Sequence, residues 1–479
     1  MLHKLPAWQL RKLIGARRLS STELMREFRK RIEAINPTIN AFVTLDWERV
    51  FEEASNLDRC ASRGAPLGIL HGLPVAVKDL TRTKGMRTTF GSTLFASYIP
   101  DEDEARAAAI RSSGGVIVGK TNTPEFGAGA NTFNDVFGAT LNPFNPKLSV
   151  AGSSGGSAAA LSADLVPLAT GSDMGGSLRT PASFCGVVGF RPSAGIVSAE
   201  NSYLAWSPLM VEGPMARNVK DTALLLAGMS SDQRPDPLGR SFNERHLLEL
   251  CSMDLCNLKI ALSEDLGFAP VAQTQRKLFR EKMKLLEEHC SAIAWDQPDL
   301  GDADFIFETI RAVHFLAAFS SYSDVEVSRM SENIQSNLAD ARRVSVDDVA
   351  KAYSEQTQTW RRAQEFFMRY DVLITPAAAV SAFPVGERYP RKIDDLEMRN
   401  YIQWFALGFG ISIIAHPAVC LPCGRDYAGM PFGIQIVGPF GEDLKTLSVA
   451  NSLEELFEQY ADLRRPTPCI NHYTGNQCA

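Results

Sequence analysis

Between residues 67 and 200 short apolar runs alternate with glycine-rich turns, and this alternation limits the folds open to the chain. The runs occupy 73–77, 116–118 and 187–190, and helix-like stretches at 103–113 and 156–163 lie between them. Strands interleaved with helices predict an α/β architecture built on a largely buried sheet. Upstream, Ser20 and Glu23 form a capping-box pair, and Leu24, Phe28, Ile32 and Ile35 follow at helical spacing. Asn36-Pro37 is expected to stop that helix, because proline lacks an N–H and clashes with the preceding turn. Strand signals return at 259–262, 372–374 and 432–437, with an amphipathic helix at 273–289 and helical texture from 304 to 370. The late strands are expected to complete the early sheet. One domain, 1–479, is therefore expected, with a catalytic core at about 67–220, a polar surface linker at 230–257, and 258–460 completing the sheet and the substrate pocket.

The chemistry concentrates in two loops, Ala151-Gly152-Ser153-Ser154-Gly155-Gly156-Ser157 and Gly171-Ser172-Asp173-Met174-Gly175-Gly176-Ser177. Successive glycines let backbone N–H groups converge on one point, where they can hold an oxyanion or a phosphate. Both loops also supply serines that can act as nucleophiles. Earlier, Lys78 directly follows the apolar run Val75-Ala76-Val77. Burial there lowers the pKa of a lysine towards the range of a general base. A lysine with two serine-bearing glycine loops is a serine-lysine variant of the nucleophile-plus-base arrangement.

Lys78, Ser153 and Ser177 lie 75 and then 24 residues apart, within Gly-Ser-Ser-Gly-Gly-Ser and Asp-Met-Gly-Gly-Ser-Leu-Arg contexts for the two serines. With Gly119-Lys120-Thr121-Asn122, Thr180-Pro181-Ala182, Gly186-Val187-Val188-Gly189, Gly213-Pro214-Met215-Ala216-Arg217 and the run from Pro431 to Gly438, the chain resembles the amidase signature family over roughly residues 20 to 460. The resemblance implies a single large mixed sheet with helices on both faces. It implies Ser177 as acyl-forming nucleophile, Ser153 as bridging serine after a cis peptide bond, and Lys78 as base. It also implies an oxyanion hole from the N–H groups of Met174, Gly175, Gly176 and Ser177, with Asp173, Arg179 and Ser154 as supporting residues. Ala151 stands where the family often has glycine. Hydrolysis of a carboxylic acid amide is then expected, with no cofactor and no metal ion.

Other patterns compete. Gly114 to Thr121 fits G-x-x-x-x-G-K-[ST], but its interior is a strand-like Val-Ile-Val, whereas a phosphate loop must follow its strand. Gly152 to Gly156 fits G-x-S-x-G with Ser154 as nucleophile, but prolines at 143 and 146 disfavour the central strand that this elbow needs. His71 and His416 are read as structural. Cys420-x-x-Cys423 has no second pair to complete a zinc site. The family also includes the glutamine-hydrolysing amidase subunit of tRNA-dependent amidotransferase, whose glutamine-holding arginine falls at Gln356 by ungapped counting, with Arg361 and Arg362 nearby. A stand-alone amidase is the favoured reading.

Phe126, Ile310, His314 and Phe315, with Phe319, are expected to line an apolar acyl pocket, so that an apolar or aromatic acyl group is favoured over a charged one. A net charge of -6 gives no basis for nucleic-acid binding. The apolar run 411–421 is interrupted by His416 and Pro417 and falls short of the ~18 residues of a membrane span. Nine cysteines and an N-terminus lacking an apolar signal core suit reduced thiols and a cytoplasmic location. The expected partner is a small-molecule amide, without nucleic acid or membrane, and a homodimer is left open.

Overall fold

The structure is a computed structural model that describes residues 1–200, 202–230, 236–240 and 243–470. Among these residues one sheet contains eleven strands. The first six are β1 (Phe42–Leu45), β2 (Pro74–Lys78), β3 (Val116–Thr121), β4 (Leu168–Asp173), β5 (Val188–Arg191) and β6 (Val211–Ala216). The others are β7 (Lys259–Leu262), β8 (Ala292–Trp295), β9 (Val372–Pro376), β10 (Ala418–Arg425) and β11 (Pro431–Val437). Their spatial order is β1-β3-β2-β4-β6-β5-β10-β11-β9-β7-β8. Strands β3, β2 and β4 run parallel, as do β9, β7 and β8, and every pairing from β4 through to β9 is antiparallel. The early and late halves meet where β10 pairs with β5, Val419 opposite Phe190. The mixed α/β sheet anticipated from the motifs is the one observed.

Strand alternation assigns side chains to faces. On β2, Val75 and Val77 enter a cluster with Leu225, Phe279 and Leu447, whereas Ala76 enters another with Leu161 and Met215. The first face is covered by helices Val219–Met229, Gln273–His289 and Asp443–Phe457. The opposite face carries helices Gly155–Ser162, Arg179–Cys185, Ala303–Phe319 and Ala406–Ile413. Each fully buried Leu or Phe in these layers contributes about 1.5–3 kcal/mol. Lys78, two positions after Ala76, projects onto this second face.

Several local expectations change. The helix Ser21–Ile39 runs through Pro37 instead of stopping before it, and it ends at Asn40 in a left-handed conformation, φ 51°. The Asn36 side chain explains the extra turn: its Oδ1 accepts from Ala41 and Phe42 N–H, and its Nδ2 donates to Phe42 O. The helical texture after 304 resolves into Ala303–Phe319, Asp324–Ser328, Glu332–Ala341 and Val346–Phe367, with capping boxes at Ser323 and Ser345. Within the expected linker 230–257, residues 231–235 and 241–242 lie outside the described residues, and a short helix, Glu244–Leu248, buries Leu247.

Cys420 and Cys423 sit three apart on β10 and belong to clusters on opposite faces, so they cannot grip one ion together. The reading of all cysteines as reduced thiols does not hold for Cys469, which is disulfide-bonded. A cysteine count carries no information about which thiols approach one another. Among the described residues no helix is long and apolar enough to cross a membrane.

Candidate active site

Lys78 ends β2 with its side chain buried, 1% exposed. Its Nζ lies 2.7 Å from Ser153 Oγ, 2.8 Å from Ser172 Oγ and 3.0 Å from Ser154 Oγ. Its backbone N–H donates to Thr170 Oγ1, tying β2 to β4 at the point where the amine turns inward. No carboxylate forms an ion pair with the amine among the described residues. Burial drives its pKa down to about 7, opposed by the negative charges of Glu212 and Asp173 and assisted by Arg106. An amine in this state accepts a proton readily near neutrality.

Ser153 follows a cis peptide bond, Gly152–Ser153. Ala151, just before, adopts φ 58°, a left-handed value that explains the preference for glycine at this point. Ser154 stands at the N-cap of the helix Gly155–Ser162 and is fully buried, its hydroxyl held by Lys78, Ser172 N–H and Ser172 O. Its hydroxyl is thus enclosed between the loops and does not line the cavity. Its N–H donates to Ser177 O at 3.3 Å, which joins the two glycine loops. Ser153 and Ser177 open onto the same cavity. Among the described residues no hydrogen bond links their hydroxyls. Catalytic hydrogen bonds are commonly long before substrate binds.

The second loop is pinned by Asp173. Arg179 grips its carboxylate through Nε at 3.0 Å and Nη2 at 2.8 Å, and Arg191 Nη1 lies 3.2 Å away. Burial alone would raise this carboxyl, but the two guanidinium charges and the Gly176 N–H overcome it and hold the group well below the usual carboxylate range. Arg179 also reaches Gln435, Gly408 O and Ser412, coupling the loop to β11 and the helix Ala406–Ile413. The Gly176 N–H donates to Asp173 Oδ1 at 2.9 Å. Of the four amides expected in the oxyanion hole, it is the one already engaged, by the Asp173 carboxylate. Met174, Gly175 and Ser177 have no protein acceptor for their N–H groups among the described residues. A Cβ on Gly175 would meet Phe405 at 2.9 Å and Phe307 at 3.0 Å, so glycine is needed for the loop to pack there.

The cavity in front of these groups holds about 600 Å³. One wall is aromatic: Phe126 packs edge-on to Phe319 at 5.1 Å, near Phe90 and Phe95. Phe126, His314 and Phe315 line it, and Ile310 does not. On the helix Ala303–Phe319 the cavity stripe is Phe307, Arg311, His314, Phe315, Ala318 and Phe319, and Ile310 points from the adjoining face into the core. His314 bonds Ser207 Oγ at 2.9 Å, and burial, with the Arg311 charge, lowers its pKa to about 4, leaving it neutral.

Sequence reasoning missed Glu212. It lies opposite Ser172 across the β4–β6 pair, lines the cavity, and is 3.5 Å from Arg106. Burial raises its carboxyl, offset by Arg106 and Lys78. An acid inside an apolar strand just ahead of Gly213-Pro214 was the available signal. Neither Ser154, the nucleophile of the rival elbow pattern, nor Lys120 lines the cavity. Lys120 of the phosphate-loop pattern stays within β3, bonded to Thr81 O and Thr83 Oγ1. His416 is buried, bonded to Ile414 O and Gln364. Gln356 bonds Ile413 O, Arg362 bonds Asp299, and neither these two nor Arg361 lines the cavity. Among the described residues no group of three or more His, Cys, Asp or Glu is placed to hold a metal ion.

Known proteins resemble the chain in sequence and in fold. The family model described as Amidase matches residues 23–447. An acylamidase from Rhodococcus erythropolis is 31% identical over 461 residues, covering 95% of each chain. A glutamyl-tRNA(Gln) amidotransferase subunit from Thermus thermophilus is 35% identical over 477 residues, covering 94% of this chain and 96% of the relative. The crystal structure of a bacterial aryl acylamidase of the amidase signature family superimposes with a TM-score of 0.89, at 24% identity over 99% of both chains, a likeness of fold.

Proposed function

The chain belongs to the amidase signature family, and from that membership we propose that it is a stand-alone amidase working through a Ser177–Ser153–Lys78 relay and an acyl-enzyme on Ser177. The observation that carries this reading is the buried Lys78 amine within 2.7 Å of Ser153 Oγ, surrounded by hydroxyls. A neutral amine has one lone pair and two N–H groups. Ser153 O–H can donate to that lone pair while the two N–H groups go to Ser154 and Ser172. All its valences are then met without a counter-ion.

In the forward step Ser177 Oγ attacks the amide carbonyl, its proton passes to Ser153 Oγ, and the Ser153 proton passes to Lys78 Nζ. Negative charge builds on the carbonyl oxygen, facing the N–H groups of Met174, Gly175 and Ser177. Each donor so placed lowers the barrier by roughly 3–4 kcal/mol. Ser153 then hands a proton to the leaving nitrogen, which an amide requires because its anion leaves poorly. Water activated by the same relay releases the acid. An aryl or bulky apolar part of the substrate packs on the wall formed by Phe126 and Phe319. The same reading takes residues 1–479 as one amidase domain.

Intact-mass measurement after brief exposure to an amide tests the proposal: an added acyl mass located on Ser177 supports it, and an acyl group on any other residue overturns it. A second reading, a glutamine-hydrolysing component of a larger complex, draws on the 35% identity to the amidotransferase chain. Glutamine preferred over simple amides, with turnover only beside partner chains, would favour it instead.

A further inference from the structure

Charges on the cavity wall are mostly matched. Arg82 lies near Glu102 and Glu104, and Arg106 near Glu104 and Glu212. Arg311 differs. It lines the same cavity and is 6% exposed, yet no carboxylate forms an ion pair with it among the described residues. Its Nη1 donates to Asn337 Oδ1 and its Nη2 to Tyr401 OH, both neutral acceptors. The guanidinium lies 4.3 Å over the Phe315 ring and 5.4 Å from the Tyr401 ring centre, so two ring faces hold the cation in place. Two of its five N–H donors are used, which leaves the rest of the fork open, and the ring faces answer the charge only in part, with no anion beside it among the described residues. Burying a charge without a counter-charge is costly.

The placement is informative. Phe307, one turn earlier on the helix, and Phe405, four residues after Tyr401, both pack at the point where a Cβ on Gly175 would lie. Arg311 therefore stands about one helical turn, on the order of 6 Å along the axis, beyond the oxyanion loop. We infer that Arg311, oriented by Tyr401, Asn337 and Phe315, is a carboxylate-binding post in the substrate cavity, and that the preferred amides carry a carboxylate a short spacer away from the scissile carbonyl. This rests on the amidase reading of the cavity and narrows it: an apolar body is accepted by the aromatic wall, with an anion at one fixed point. A carboxylate fits because its planar pair of oxygens matches the guanidinium fork.

The test compares adipamate with hexanamide, which has the same chain with a methyl in place of the carboxylate. The full-length enzyme should favour adipamate in kcat/KM by on the order of tenfold or more. In Arg311→Met that ratio should fall below one. In Arg311→Lys, which keeps the charge but loses the fork, it should fall between the two. A ratio at or below one for the unmodified enzyme across spacers of two to five methylenes, or a ratio that survives Arg311→Met, overturns the inference. If Arg311→Met does not fold, the unmodified enzyme and Arg311→Lys decide. Calorimetric titration of Ser177→Ala with the two compounds reads the contact without turnover. Tenfold tighter adipamate supports the post, and equal binding overturns it, whatever becomes of the hydrolase reading.

Discussion

Two buried lysines on neighbouring parallel strands occupy very different surroundings. Lys78 ends β2, and Lys120 lies on β3 directly opposite Val77. Residues paired across a sheet share a face, so Lys120 points with Val77 to the side opposite Lys78. Burial lowers both amines, to about 7 for Lys78 and to about 8 for Lys120. Lys120 binds the Thr81 carbonyl and Thr83 hydroxyl, with Asp79 raising its pKa, and it does not border the cavity. Lys78 touches three hydroxyls, one of which, Ser153, opens onto the cavity beside Ser177. Desolvation is thus common to both, and on the proposed mechanism what separates the base from a structural cation is a proton path from the amine to a reacting atom.

That contrast can be broken most directly at the far end of the path. Ser177→Ala should lower turnover by on the order of 10⁴-fold or more while circular dichroism and thermal midpoint stay near those of the parent; substantial residual hydrolysis means that the path from Lys78 leads elsewhere. Next, Lys78→Met, an apolar replacement for a buried amine, should cost about 10³-fold in kcat, the scale of a lost general base. A loss of less than tenfold would make the two lysines equivalent.

The mirror experiment is Lys120→Met. It leaves Thr81 O and Thr83 without their donor and removes the cation near Asp79, so stability should drop by about 3 kcal/mol in chemical denaturation. The kcat of the folded fraction should stay within about threefold.

The smallest expected effect is a shift in pH profile. Protonated Lys78 cannot accept a proton, so kcat/KM should rise with pH through about 7. Glu212 favours the ammonium, and neutralising it in Glu212→Gln makes the charged amine less stable and lowers its pKa. The acid limb should then move to lower pH. Movement to higher pH, or none, would show that Glu212 does not act on Lys78.

Much of the site was legible because its parts are local. Lys78 after an apolar strand, and the serines within glycine runs, carry signals in a few adjacent residues, and the structure puts both loops and the lysine on one face of the sheet. The helix boundary at Pro37 was misread because the deciding side chain, Asn36, caps residues that follow the turn. Ile310 was misplaced by one helical position relative to Arg311. Periodicity gives the spacing of a stripe, but not the direction in which it faces.

From residue order alone came the α/β class, the amidase resemblance and the serine-lysine set, since each depends on short-range pattern and on spacing along the chain. Tertiary structure alone decided which loop amides remain free, which of two buried lysines faces the cavity, and where Glu212 and Arg311 stand. Those depend on hydrogen-bond partners and charges brought together from positions far apart in the chain, and a linear pattern carries no term for such encounters.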